Sequence, residues 1–155
     1  MKTRTALLTL ATLFAAVVVC FAAADVNMGA WNLNEAKSKL GAGGVKNTTV
    51  VYAPDGDTVK VTVDGVDADG KPVHSEWTGK FDGKDYPVTG DPAGDTRSYR
   101  RISSHTMTFT GKKDGKINLT GRIVVSPSGK SRTITVRTTD AKGNKITSVA
   151  VYDKQ

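Results

Sequence analysis

Cysteine is almost absent from this chain of 155 residues: Cys20 is the only one. It sits inside the apolar run Leu7 to Phe21, so a chain cleaved after Ala24 keeps none, and disulfides, thiolate metal centres and a cysteine nucleophile drop out. Histidine is nearly as scarce. Neither His74 nor His105 has a partner at metal-ligand spacing, so no metal and no cofactor is expected. Also missing are a Gly-x-Ser-x-Gly elbow, a Walker loop and a dinucleotide fingerprint after a strand; no catalytic residue is assigned, and the chain is not read as an enzyme. His74 lies near Glu76, a pairing that more often marks a surface histidine than a general base.

Long apolar runs are limited to one. Lys2 and Arg4 precede it and Ala22-Ala23-Ala24 follow it, the layout of a cleaved signal peptide over residues 1–24. The run is shorter than the ~20 residues of a membrane-spanning helix, so no stable membrane insertion is expected. Val19 before Cys20 is too bulky for a lipoprotein signal. A periplasmic or secreted protein is expected, with residues 25–155 forming a single domain, held by its core and monomeric.

Charge of one sign is scarce in each half. Asp25 to Asp95 holds 7 Lys/Arg against 12 Asp/Glu, and Thr96 to Gln155 holds 13 against 3. The basic half could meet an anionic surface partner, or the two halves of one sheet could simply complement each other. Nucleic acid is not expected, given export and the lack of an aromatic cluster among the basic residues. Arg97, Arg100 and Arg101 read as a solvated strand face. Tyr99 shares a face with Arg97 and Arg101, which leaves an anion-binding patch as the alternative.

What the chain has in abundance is alternation. Val59, Val61 and Val63 point one way while Lys60 and Thr62 point the other, and the same period of two recurs at Val73-Ser75-Trp77, Met107-Phe109 and Ile134-Val136. Turn signals separate these runs, among them three Asp-Gly-Lys triplets at 69–71, 82–84 and 114–116. The spacing predicts ten strands, at 30–33, 48–53, 58–64, 72–80, 84–88, 96–102, 106–112, 117–125, 131–139 and 145–153, and a short helix at 34–40 between the Asn34 cap and Gly41. The fold class is all-β, an antiparallel meander of about ten strands closed into a barrel, because closure removes exposed edges.

Two stretches could be sites or turns. "GVDADGKPVHSE" (65–76) places Asp67, Asp69, Gly70 and Glu76 at calcium-loop offsets, but Gly65 stands at the first ligand position, so a hairpin is the simpler reading. "GKFDGKDYPVTGDP" (79–92) gathers charges around Gly83; recurrence of the triplet argues for a turn, with Pro87 and Pro92 limiting the rest to a short edge strand and a loop. Trp31 and Trp77 read first as core anchors.

Gly29-Ala30-Trp31 on the first strand, a short helical stretch, about nine further hairpin-linked strands and Tyr152 close to the end together resemble the calycin group, lipocalin-like proteins, and within it the fatty-acid-binding proteins. That family holds an apolar acid inside a ten-stranded barrel, with arginines and a C-terminal tyrosine on the carboxylate. The resemblance implies a lipid-binding role for Arg122 and Tyr152 at a head group, with Trp31 and Trp77 lining or closing the apolar part. Ala150 stands where the family's Arg-x-Tyr has arginine, the link between the first two strands is short for its two-helix lid, and its members are usually not exported. Alternation sets Arg122 with Asn118 and Thr120, opposite Ile117, Leu119, Ile123 and Val125; it faces outward if the interior is apolar and inward if the interior is polar and wet. The function expected is that of an exported small-ligand-binding protein for an apolar or amphipathic molecule. The alternative is an envelope module that uses its basic outer surface and holds no internal ligand.

Overall fold

The computed structural model describes residues 25–41, 44–139 and 142–155; the expected signal segment, 1–24, lies outside them. Ten strands follow in chain order: β1 Gly29–Leu33, β2 Lys46–Asp55, β3 Thr58–Val66, β4 Pro72–Gly79, β5 Tyr86–Thr89, β6 Thr96–Ser103, β7 Thr106–Lys113, β8 Lys116–Val125, β9 Ser131–Thr139 and β10 Lys145–Lys154. Each pairs antiparallel with its neighbour, and β1 pairs with β10, so the sheet closes into a barrel. Valine, isoleucine and threonine fill these strands because β-branched side chains suit a pleated, half-buried surface.

The expected helix at 34–40 is a correction. Only a 3-10 turn, Glu35–Lys37, forms there. Asn34 does cap it, Oδ1 accepting from the Lys37 amide at 3.2 Å. Ser38 is already extended, however, and Lys39 exchanges two backbone hydrogen bonds with Val149 of β10, 2.7 and 2.8 Å long. Pairing with the barrel thus captures the segment before a second helical turn can form, and a single turn is too costly to stand alone. Among the described residues no helix is long and apolar enough to cross a membrane.

The triplet at 82–84 is a turn. Gly83 has φ +82, its amide donates to Tyr99 O at 2.8 Å, and the Asp82 carboxylate accepts from the Lys84 amide and the Tyr86 hydroxyl, each at 3.0 Å. Asp67 acts likewise in the 65–76 hairpin, accepting from the amides of Asp69 at 2.9 Å and Lys71 at 2.8 Å.

One end of the barrel is sealed. The segment before β1 crosses it: Asn27, fully buried, donates to Ser104 O at 3.3 Å, Asp25 pairs with Arg101, and the Trp31 indole donates to Asn27 O at 3.0 Å. Above this floor the inner faces of β6 to β8 supply Tyr99, Met107, Phe109, Leu119, Ile123 and Val125 to one core cluster. Leu119, Ile123 and Val125 take the inner face of β8, which turns Arg122 outward, where it is exposed.

Candidate functional site

The opposite end of the barrel is hollow. A cavity of about 530 Å³ opens there, between Gly41, Gly44 and Val45, the β5–β6 loop and the β9–β10 strands. Its walls are mostly aliphatic: Val63, Val73, Leu119, Ile123, Ile134, Val136 and Ile146. These are the inward positions of strands whose outward positions carry threonine, lysine and arginine, so the alternation itself lines the cavity. The deep part is aromatic, with Tyr52, Tyr99, Phe109 and Tyr152 on its surface. Behind them Trp77 packs edge-on to Tyr99 at 4.8 Å and parallel to Phe81 at 6.2 Å. Gly121 opposes Phe109 across the β7–β8 ladder, and a Cβ there would lie 2.1 Å from the Phe109 ring, so the absence of a side chain seats that ring against β8.

Among the described residues three charged side chains, Arg97, Asp91 and Arg132, face the interior. Arg97 on β6 lines the cavity wall and donates from Nη2 to Asp91 Oδ2 at 2.6 Å. Their side chains are only 14% and 13% exposed, and Asp91 belongs to the β5–β6 loop, at the end of the 79–92 stretch whose other half is a plain turn. Burial works against the Arg97 charge, but Tyr99 and the Asp91 carboxylate outweigh it and hold the guanidinium more firmly protonated than usual. The loop is pinned by the Asp95 amide donating to Lys112 O at 2.9 Å and by Asn118 donating to Ala93 O.

Arg132 is different. It is 1% exposed, and its guanidinium lies over three rings, those of Trp31, Tyr52 and Tyr152, at 4.6, 4.8 and 5.1 Å. No carboxylate pairs with it among the described residues, and its nitrogens meet no acceptor in good hydrogen-bond geometry, although the Tyr52 hydroxyl helps to hold its charge. Burial accordingly lowers its pKa, against the pull of the tyrosines. The rings offset part of the desolvation through cation–π attraction, strongest where water is excluded.

Of the residues singled out from the sequence, Tyr152 lines the cavity, its hydroxyl donating to Asn47 O at 2.9 Å. Trp31 and Trp77 are buried outside the cavity lining, Trp31 at the sealed end and Trp77 behind Tyr99, its indole donating to Arg97 O at 2.9 Å. Arg122 faces outward and is not brought to the others. Arg97 and Tyr99, set on one face by alternation, do meet at the cavity wall, whereas Arg101 on that face serves the sealed end. His74 sits on the outer face, 2.6 Å from Asp64 and 3.6 Å from Glu76. Arg132 and Asp91 were not picked out; Arg132 shares the alternation of Ile134 and Val136, which is the signal that finds it.

Burial pushes the Tyr152 hydroxyl up to about 12, Arg132 opposing, and pushes Tyr52 higher still. Both groups are protonated in the fold and lose their protons sooner in the unfolded chain, near pH 10. Stability is therefore full below about pH 10 and falls as pH rises towards 12, by on the order of 2 kcal/mol for Tyr152 alone. Urea unfolding at stepped alkaline pH, with tyrosinate absorbance followed in parallel, checks this; flat stability from pH 9 to 12 would contradict it.

No protein-family model matches the chain, and no curated protein matches it. Solved structures that resemble it include EF1p2_mFAP2b bound to DFHBI, at 15% identity and a TM-score of 0.47, over 86% of this chain and 97% of that one. Others are a redesigned β barrel, mFAP1, bound to DFHBI, at 14% identity and 0.42 over 83% and 95%, and a redesigned β barrel, b11L5F_LGL, at 14% and 0.43 over 84% and 92%. None of these likenesses bears on what this chain binds.

Proposed function

We propose that this protein is a small-molecule carrier or receptor of the calycin kind, exported to the periplasm or medium, which holds an apolar or amphipathic ligand inside its barrel without transforming it. The observation that carries the proposal is the cavity of about 530 Å³, lined largely by aliphatic and aromatic side chains with a few polar ones among them, such as Asn47, Ser75, Asp91, Arg97 and Ser148. Ligand sites have this size and this mixture: apolar area for affinity and a few placed polar groups for orientation. The non-enzymatic reading rests on the sequence, which offers no nucleophile with a base, and export rests on residues 1–24.

Titration with the methyl ester of pyrenebutanoic acid, an uncharged fluorescent probe, tests the proposal. Binding is expected to saturate at one site. The double substitution Val136→Trp with Ala150→Phe, both on the cavity wall, should weaken it at least tenfold while thermal stability holds or rises, since added side chains occupy empty space. If neither this nor any other apolar probe binds, the reading moves to the outer face, where Arg100, Arg122 and Arg137 are exposed.

A further inference from the structure

The outer face of strands β6 to β9 carries positive charge that the fold does not use. These four strands contain no aspartate and no glutamate. Of their arginines, Arg97 and Arg101 are taken up by Asp91 and Asp25, and Arg132 by the buried rings. Arg100, Arg122 and Arg137 are exposed, and among the described residues no ion pair, side-chain hydrogen bond or ring contact engages them. The strand register sets these three on one diagonal track. Arg137 lies opposite Thr120 of β8 and Thr147 of β10, Arg122 opposite Thr108 and Thr135, and Arg100 opposite Thr108. Arg137 and Arg122 are diagonal neighbours, roughly 7–8 Å apart, and two strand spacings, about 10 Å, separate Arg122 from Arg100. Threonine hydroxyls fill the positions between them.

The track starts at a depression. Pairing of β8 with β9 begins only at Leu119 and Thr138, and where the two strands part a hollow of about 450 Å³ forms, lined by Ile117, Asn118, Thr120, Arg137, Lys145 and Thr147 among others. Two cations and several hydroxyls thus border it, and Ile117, 63% exposed, adds an apolar wall. Its volume is in the range of small-molecule sites. It shares only Leu119 and Thr138 with the lining of the inner cavity, so the two lie on opposite sides of the sheet.

We propose that this outer face is a second binding site, for an acidic polysaccharide. One anionic sugar unit settles in the depression beside Arg137 and Lys145, and the chain runs on over Arg122 to Arg100. The planar fork of arginine suits the carboxylates or sulfates of such a chain, and threonine hydroxyls both donate to and accept from sugar hydroxyls. Other polyanions and partners fit the face less well. Tyr99, Phe109 and Tyr152, the aromatic residues of β6 to β10, all belong to the core, which leaves the face no platform for stacking a base. For the same reason it lacks the aromatic anchors that fill the centre of a protein interface. Polymer and cavity ligand are then bound independently, one outside the sheet and one within it.

The test is titration with polygalacturonate at low ionic strength, with its methyl ester as the uncharged control. Wild-type protein should bind the acid polymer, lose affinity as salt rises and ignore the ester. Arg100→Gln, Arg122→Gln and Arg137→Gln combined should weaken binding about tenfold or more, from three exposed charge pairs lost together. Lys37→Gln, Lys71→Gln and Lys130→Gln combined remove the same charge from exposed positions elsewhere and should cost less than about threefold. Arg137→Gln alone, at the depression, should cost more than Arg100→Gln alone. All these side chains are exposed, so the variants should unfold at the wild-type temperature and keep their affinity for the pyrene ester. Equal losses in the two triple variants overturn the proposal, as does an ester bound as tightly as the acid polymer or an Arg100→Gln loss matching that of Arg137→Gln. Duplex DNA or phosphatidylglycerol vesicles bound more tightly than polygalacturonate through the same arginines also overturn it. The pyrene ester reports on the cavity alone, so failure of the polymer to bind leaves the carrier reading standing, and failure of the pyrene ester leaves the outer site standing.

Discussion

Trp31→Ala is expected to cost the barrel about 4 kcal/mol, within the range measured for large aromatic side chains lost from cores. The indole is 0% exposed, donates to Asn27 O at 3.0 Å, and has the Arg132 guanidinium at 4.6 Å and the Lys154 amine at 5.1 Å from its ring. Truncation removes the buried area, leaves a void and strips Arg132 of one of its three rings. Since a domain of this size holds only about 5–15 kcal/mol in all, most of the margin goes. The control is Ile117→Ala: alternation sets that side chain with Leu119, but near the start of β8, where the register shifts, it is 63% exposed, and its loss should change stability by less than about 0.5 kcal/mol. Urea unfolding followed by circular dichroism measures both, and a Trp31 variant within about 1 kcal/mol of wild type would mean that the sealed end contributes little.

Gly90→Ala should be nearly as damaging, for a backbone reason. Gly90 has φ +72, and a Cβ there would sit 2.1 Å from the carbonyl oxygen of His74 in β4, which cannot rotate aside. Gly129 has almost the same dihedral, φ +70, with nothing within 4 Å. The left-handed conformation alone costs an alanine about 1 kcal/mol, so Gly129→Ala should lose about that much and Gly90→Ala about 3 kcal/mol or more. The next residue is Asp91. Shifting the loop to relieve the clash moves the carboxylate away from Arg97, so probe binding should change in Gly90→Ala and stay at the wild-type level in Gly129→Ala. Equal losses for the two glycines would remove the clash from the account.

Much of this architecture is legible in the residues. Period two and Asp-Gly turns place all ten strands within a few residues of where they lie, because a side chain's face follows from its position in a strand. Closure follows from edges. The helix at 34–40 failed because its capping and stop signals are local, while the pairing of Lys39 with Val149 joins parts of the chain far apart in sequence. Arg132 was missed for a different reason. Its alternation with Ile134 and Val136 points it inward, but charge ordinarily points a strand residue outward, and only the rings supplied by β1, β2 and β10 make burial tolerable. Arg122, ordered by the same alternation against Leu119 and Ile123, behaves as pattern alone dictates. Asp91 carries no pattern at all: it is a loop residue, and its meeting with Arg97 exists only once β5 and β6 are folded.

The closing of β1 on β10 also orders events in time. Nine of the barrel's ten ladders join neighbours in the chain and can zip outward from a turn, whereas the tenth sets Trp31 opposite Lys154, almost the whole domain away in sequence. That seam has the largest loop-closure entropy to overcome, so it is expected to form last. Until it does, β1 and β10 are open edges and the indole of Trp31 is in water; the molecule is most exposed to pairing with its own copies in the interval just before it becomes a barrel.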